Sequence, residues 1–474
     1  MSIELDIEIA RMLEHARGLA AKAEDDGAKQ AYVDILRRDP THLSALIELG
    51  TLAHSGGYRS AARTAYLQAL MHHPGDKIAR VNLANVMREE GDLAGARLHY
   101  EAALQIDPRF PEAHQGMACV LSDLGLDGAD DHWEKGFRGH AVVTRPYRGA
   151  EVGVPLLLLV SVRGGNIPTQ NWINDRVFFV TVIYAEFHDP DRPLPPHVLI
   201  VNAVGDADLC DAALAGAERI IARSSAPVIN SPAKVRPTGR VENSRRLAAL
   251  QDVIAPQMRA LSLPKLLAHE GLSFPLLLRR PGFHTGQHFV RIDTADALPG
   301  AVAGLGGDEL LVIEYLDARG PDGMARKYRA IFVDGVVYPL HLAISTHWKV
   351  HYFSASMADS AVYRAEERRY LEDMPGVLGP KALHALVRIC GTLGLDYGGA
   401  DFALAPDGSV IVFEANANMV VFPPNADRMW DYRRKAIDTV LTAATGMLLR
   451  RAVHPADPAR PAHPAQPSVS GQPV

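Results

Sequence analysis

The chain has 474 residues, 47% hydrophobic and 22% charged, enough apolar material for several cores and unlike a disordered chain. Its formal net charge of −6 carries no global basic footprint, which sets nucleic acid aside as the default partner. Cys119, Cys210 and Cys390 are few, odd in number and far apart, which excludes a disulfide framework or a cysteine zinc site and fits a reducing cytoplasm.

The opening segment, MSIELDIEIARMLEHARG, carries acids and lacks the basic and then apolar pattern of a signal peptide. Residues 1–140 hold 22 acidic and 15 basic side chains, a balance of −7, whereas the rest of the chain is +1. Within this stretch Pro40, Pro74 and Pro108 recur every 34 residues. So do Gly57, Gly91 and Gly125; Ala28, Ala62 and Ala96; and Tyr32, Tyr66 and Tyr100. A period of 34 is the tetratricopeptide signature. Small residues let two helices approach, Tyr fills the space between repeats, and Pro marks the passage to the next unit. The spacing predicts an all-α solenoid over residues 1–140: a half repeat at about 23–40, full repeats at 41–74 and 75–108, and a decayed one at 109–138. In that last repeat Asp130 and Glu134 stand where Ala and Tyr are expected.

From residue 150 the texture changes. PLLLLVSV, RVFFVTVIYAEF and PHVLIVNAVGD are apolar or β-branched runs, and DLCDAALAGAERIIARS suits a helix. The short run SAPVINSP reads as a strand and turn. Buried strands alternating with helices predict a parallel sheet in an α/β domain over 150–245. The longest apolar run, residues 154–162, is far short of the ~20 residues of a spanning helix, so no membrane segment is expected.

Residues 246–449 mix strands and helices. FPLLLRR and FVRI flank the loop PGFHTGQH; ELLVIEYLDA, KYRAIFVDG and VVYPLHLAIS follow, the last two joined at Asp334-Gly335. A helix is expected from about Pro380 to Leu395, then a hairpin through Pro406-Asp407-Gly408, then a helix from about Pro424 to Leu449. The Pro-rich end, 450–474, reads as a disordered tail.

Three features carry chemistry. Asp401 is placed at the start of one hairpin strand and Glu414-Ala415-Asn416 at the end of its partner. Two carboxylates and an amide oxygen are hard ligands suited to Mg²⁺. The loop Pro281-Gly282-Phe283-His284-Thr285-Gly286-Gln287, flanked by Arg279 and Arg280, suits a flap over phosphate. The strand ending in Glu314-Tyr315-Leu316 suits an adenine edge and a ribose.

The order of these features resembles the ATP-grasp superfamily of carboxylate–amine ligases, over about residues 155–448, and the style is similar to ATP-grasp proteins that carry tetratricopeptide repeats. VNAVGDADLC, PVINSPAKVRPTGR and GADFALAPDGSVIVFEANANM bear the likeness. The resemblance implies three domains: a tetratricopeptide solenoid (1–140), an α/β pre-ATP-grasp domain (150–245) and an α+β ATP-grasp catalytic domain (246–449). It implies ATP and Mg²⁺ as cofactors, with Asp401, Glu414 and Asn416 holding the metal. Glu314, Tyr315 and Leu316 would lie at adenine and ribose, Gly282 and Gly286 in the flap, and Arg329 and Lys349 at the reacting groups. The family's nucleotide lysine is replaced by Arg279-Arg280, of which one faces the nucleotide.

The implied reaction passes through an acyl phosphate to an amide or peptide bond between a carboxylate and an amine. A phosphotransferase and a nucleotide-binding scaffold without turnover are the alternatives. The repeats would recruit a protein or peptide, a basic one by charge. Cys210 and Cys390 read as core. His341, His347 and His351 read as packing or substrate contacts rather than a metal site. The substrates and the oligomeric state are open at this level.

Overall fold

The computed structural model describes residues 3–268, 271–282, 287–350, 355–423 and 425–453, with side chains from residue 5. Two compact units form: residues 1–153 with 179–193, and residues 154–178 with 194–474.

The first unit begins with paired helices: α1 (Ile3–Ala21) and α2 (Asp25–Arg38), α3 (Leu43–Ser55) and α4 (Arg59–His72), α5 (Lys77–Glu89) and α6 (Leu93–Ile106), α7 (Pro111–Leu124) and α8 (Ala129–Phe137). This is a tetratricopeptide-type array. Gly57, Gly91 and Gly125 take positive φ (81°, 84° and 65°) between the helices of a pair. Ala28, Ala62 and Ala96 are fully buried, and Tyr32, Tyr66 and Tyr100 are at most 2% exposed. Close approach is literal: a Cβ on Gly50 would lie 2.6 Å from Tyr66, and one on Gly116 would lie 2.2 Å from Tyr100.

The expected half repeat at 23–40 is instead a complete pair, because α1 supplies a partner for α2. Ile9 and Ala16 pack there with Tyr32 and Ile35. The pattern hid this repeat because Ala23 occupies the glycine position, yet adopts the same left-handed turn with φ 57°. At the far end Trp133 and Phe137 are buried despite Asp130 and Glu134, and Phe137 meets Tyr184 and Phe187. Some of the acids are paired with bases, which leaves the balance of −7 unchanged. Glu8, Glu48, Glu89, Glu90 and Asp107 pair with Arg38, Arg17, Arg59, Arg63 and Lys77.

Strands follow: β1 (Val142–Thr144), β2 (Val154–Val160) and β3 (Phe178–Tyr184). β1, which lies before the segment where a parallel sheet was expected, runs antiparallel to β3 in the first unit. In the second unit β2 pairs in parallel with β4 (Leu199–Asn202), and β4 with β5 (Val228–Ile229), across α9 (Asp211–Ile221). After α10 (Pro232–Val235), α11 (Arg240–Ala248) leads to two further sheets.

One contains β7 (Met258–Ser262), β8 (Leu276–Arg279), β9 (Phe289–Ile292) and β10 (Glu309–Glu314), in the order β7-β10-β8-β9, all antiparallel. It follows β6 (Val253–Ile254), and α12 (Leu263–Leu267) and α13 (Leu298–Leu305) lie between its strands in the chain. Leu276, Leu278, Leu310 and Val312 form its core with residues of these helices. The other sheet has β11 (Ala325–Val333), β12 (Val336–Ser345), β13 (Tyr397–Leu404) and β14 (Val410–Asn416), in the order β12-β11-β13-β14-β6. The turn at Asp334-Gly335 joins β11 and β12 as expected, and positive φ at both residues gives it primed hairpin geometry.

Between β12 and β13 lie α14 (Ala361–Glu372) and α15 (Met374–Leu393). α15 starts before the expected Pro380, through a break at Gly379. The last helix, α16 (Arg434–Val453), starts later than expected because a 3-10 turn occupies Arg428–Arg433. It also runs into the expected tail, where Arg450 and Arg451 bind Asp334 at 3.1 and 2.8 Å. The rest of the tail lies outside the described residues. No helix among the described residues is long and apolar enough to cross a membrane.

Candidate functional site

A cavity of about 380 Å³ is lined by residues of both large sheets and of α11. Strand periodicity aims the side chains. On β8, Leu276 and Leu278 enter the sheet's core, so Leu277 and Arg279 share the opposite face and line the cavity. Of the two adjacent arginines, Arg279 lines the cavity and Arg280 does not. Burial, and then Arg240, lower the Arg279 pKa. Gly282 adopts φ 82° outside the lining, and Gly286, His284 and most of the flap lie outside the described residues.

At the end of β10, Glu314, Tyr315 and Leu316 all line the cavity. Glu314 Oε2 accepts a hydrogen bond from the Gln257 amide at 2.9 Å, so part of its carboxylate is engaged by backbone. Arg291 stacks over Tyr315 with its guanidinium carbon 4.1 Å from the ring centroid. Trp348 and Phe289 meet edge to face, with centroids 5.5 Å apart. Lys349 donates to the Phe289 carbonyl at 3.3 Å, and burial followed by Arg279 lowers its pKa.

The floor is built on β11, β13 and β14. Asp401 sits in the middle of β13 rather than at its start, and pairs in register with Arg329 on one side and Glu414 on the other. A bulge leaves Phe413 unpaired, since Asp401 and Phe402 pair with Glu414 and Val412. Arg329 donates through Nε to Asp401 Oδ1 at 2.5 Å and through Nη2 to Oδ2 at 2.8 Å. Lys327 donates to Oδ2 at 3.0 Å. Burial works to raise the Asp401 pKa, but Arg329 and Lys327 override it and hold the carboxyl far below the usual range.

Glu414 and Asn416 line the cavity beside this cluster. Asn416 donates through Nδ2 to Glu414 Oε1 at 3.0 Å, and its Oδ1 accepts from the Asn418 amide at 2.8 Å. Arg240, from α11, comes within 3.8 Å of Glu414. Glu414, 37% exposed, and Asn416 offer hard oxygens suited to a divalent cation. Asp401 fits that role less well as arranged, since both its oxygens accept from cations. Among the described residues no group of three or more His, Cys, Asp or Glu side chains is gathered as metal ligands.

His341 is buried beside Arg329; burial and that charge push its pKa well below the usual value. His347 does not line the cavity and His351 lies outside the described residues. Cys210 and Cys390 are buried, with burial pushing the Cys390 thiol up to about 11. Sequence reading missed Lys327, Arg240, Trp348 and Asn418, which all line the cavity. Lys327 was legible in principle, being two residues from Arg329 on a strand.

No protein-family model matches the chain, and no curated protein matches it. Solved structures match its first quarter. A crystal structure of MamA is 20% identical, covering 26% of this chain and 71% of its own, with a TM-score of 0.25. The first tetratricopeptide domain of Spaghetti (RPAP3), bound to an HSP90 peptide, is 15% identical over 25% and 93%, TM-score 0.24. The Sgt2 tetratricopeptide domain from Aspergillus fumigatus is 17% identical over 25% and 80%, TM-score 0.24.

Proposed function

We propose that the second unit is an ATP-dependent carboxylate–amine ligase of the ATP-grasp kind. The observation that carries this reading is convergence. Arg279, Glu314 to Leu316, Arg329 and the Asp401–Glu414–Asn416 group come from separate segments, yet they line one cavity between an antiparallel sheet and a mixed one. Apolar and aromatic side chains at the Tyr315 end suit a base, and cations at the Asp401 end suit phosphate.

In the first step a substrate carboxylate oxygen bonds to the γ-phosphorus of ATP and the bond to ADP breaks, leaving an acyl phosphate. In the second, an amine nitrogen bonds to the acyl carbon, loses a proton and expels phosphate. Arg279 and Arg329 hold and neutralise the phosphoryl oxygens, and Lys349 at the aromatic rim closes the site. Glu414 and Asn416 would hold Mg²⁺, which supplies charge neutralisation on the phosphates when bound. The site needs no nucleophile of its own, since its work is positioning and electrostatic stabilisation.

The helical repeats present a stacked surface suited to an extended protein or peptide segment. Their balance of −7 favours a basic partner through steering. A second reading, nucleotide binding without turnover, is favoured by the engagement of both Asp401 oxygens.

The test is ADP release from the full chain with ATP and Mg²⁺ across a panel of carboxylates and amines. Release that requires both co-substrates supports ligation. A phosphorylated product without amine indicates a phosphotransferase. No release, with ATP still raising the melting temperature, indicates the scaffold. No effect of ATP on either would sink the nucleotide reading.

A further inference from the structure

We propose that Asn418, Val420 and Phe422 seat the organic co-substrate of this cavity, and that the co-substrate is a carboxylic acid with an apolar body. The inference rests on the ligase reading above and names a substrate class for it.

Beyond β14 the chain leaves the sheet, yet burial keeps alternating along it with period two, as on a strand. Ala417, Met419 and Val421 are at most 2% exposed, whereas Asn418 and Val420 are partly exposed and Phe422 is exposed. Glu414, Asn416, Asn418, Val420 and Phe422 all line the cavity. Side chains from other segments hold the carbonyls along this run. Asn243 Nδ2 donates to the Ala415 carbonyl at 2.5 Å, Tyr397 Oη to that of Met419 at 2.8 Å and Asn171 Nδ2 to that of Val421 at 2.9 Å. The row is therefore fixed in direction before any ligand arrives.

Its character changes along its length. Glu414 and Asn416 stand at the proposed phosphate end, Asn418 is a neutral amide, and Val420 and Phe422 are apolar. The Asn418 backbone N–H is engaged by Asn416, but among the described residues its side-chain amide has no hydrogen-bond partner. Val420 and Phe422 are not turned into the core, which Ala417, Met419 and Val421 enter from the same run. Alternate residues of an extended run stand about 7 Å apart, so Asn418 to Phe422 spans about 13 Å. A ligand laid along the row places a polar group at Asn418, next to the phosphates, and apolar surface on Val420 and Phe422. In the first step of the ligase reading the group that must reach the phosphates is a carboxylate, and Asn418 Nδ2 can donate to one of its oxygens. An acid with an aliphatic or aromatic body fits this order. A dicarboxylate does not, since its second charge would be desolvated against Val420 and Phe422.

The experiment is calorimetric titration of the full chain with 3-phenylpropanoate, hexanoate, succinate and 3-phenylpropylamine, in Mg²⁺ and a non-hydrolysable ATP analogue. Wild type, Asn418→Ala, Val420→Asp and Phe422→Ala are compared. Thermal melts check that each variant folds, and the analogue alone is titrated into each. Wild type should bind the two apolar acids at least tenfold more tightly than succinate or the matched amine. Each variant should weaken the apolar acids by about tenfold and keep the analogue within about twofold. Equal binding of succinate and the apolar acids would overturn the apolar body, and tighter binding of the amine would overturn the carboxylate. Unchanged acid affinity in Val420→Asp and Phe422→Ala would remove the row from the seat. Equal losses for acid and analogue would overturn it too, since that is the mark of general damage. Analogue binding with no acid binding would overturn this inference and leave the nucleotide reading intact. Acid binding with no analogue binding would end the nucleotide reading and leave the acid seat. No binding of either would end both.

Discussion

Asp401 and Arg329 face each other across paired strands, with two hydrogen bonds of 2.5 and 2.8 Å joining guanidinium to carboxylate. The pair is buried, so removing one charge strands the other. Asp401→Asn should therefore cost about 3–5 kcal/mol of stability, read as a lower denaturant midpoint for the second unit. An unchanged midpoint would mean that the pair is more solvated than its burial implies.

The same cluster sets a pH dependence. Asp401 is depressed, so its contribution is complete above the unfolded carboxyl pKa of about 4 and is lost as pH falls through the folded value. His341 is depressed as well, by burial and by Arg329. Below about pH 6.5 the unfolded chain takes up a proton there that the folded chain refuses, a loss of about 1.4 kcal/mol per pH unit. Melting temperatures between pH 7.5 and 5 should fall more steeply in wild type than in His341→Gln. Parallel slopes would contradict a neutral, buried imidazole.

The adjacent arginines should behave differently. Arg279 lines the cavity, whereas Arg280 does not and lies near Gly307. Arg279→Ala should weaken ATP binding roughly tenfold or more, and Arg280→Ala should leave it within about twofold. The reverse order would show that β8 is read one residue out of register.

Glu414 is the half-exposed carboxylate of the site, and Asn416 is tied to it at 3.0 Å. Glu414→Gln removes the anionic ligand with little change in shape. ADP release at saturating Mg²⁺ should fall by about a hundredfold or more, while ATP binding in EDTA persists. Full activity in this variant would remove Glu414 from the metal assignment.

The repeats offer a test of sign. Exposed glycine-to-alanine changes within helices usually stabilise by up to about 1 kcal/mol. Gly18→Ala on α1 should do so, because nothing lies within 4 Å of the added methyl. Gly116→Ala on α7 should instead destabilise by about 1–3 kcal/mol, because its methyl would press on buried Tyr100. Thermal melts of the two variants should move in opposite directions.

The repeat array was legible where residue types recur in phase, as at Tyr32, Tyr66 and Tyr100. It faded at the first pair, since Ala23 makes the glycine turn without being glycine. Strand positions and the hairpin turns also followed from alternation and turn chemistry. The metal group was legible as a set of residue types, but not its state. Nothing local says that Lys327 and Arg329 would reach Asp401, because that depends on pairing β11 with β13 across more than sixty residues of chain.

By itself, the sequence determined the helical period, the strand-forming segments and the residue types able to hold phosphate or a hard cation. These are properties of neighbours a few residues apart, where periodicity and turn preference act. Only the tertiary structure decided which arginine of β8 faces the cavity, that Asp401 lies between two cations, and that Arg240 joins them from α11. Those outcomes depend on sheet register and on burial, which raise the energy of any unpaired charge and so select its partner from distant parts of the chain.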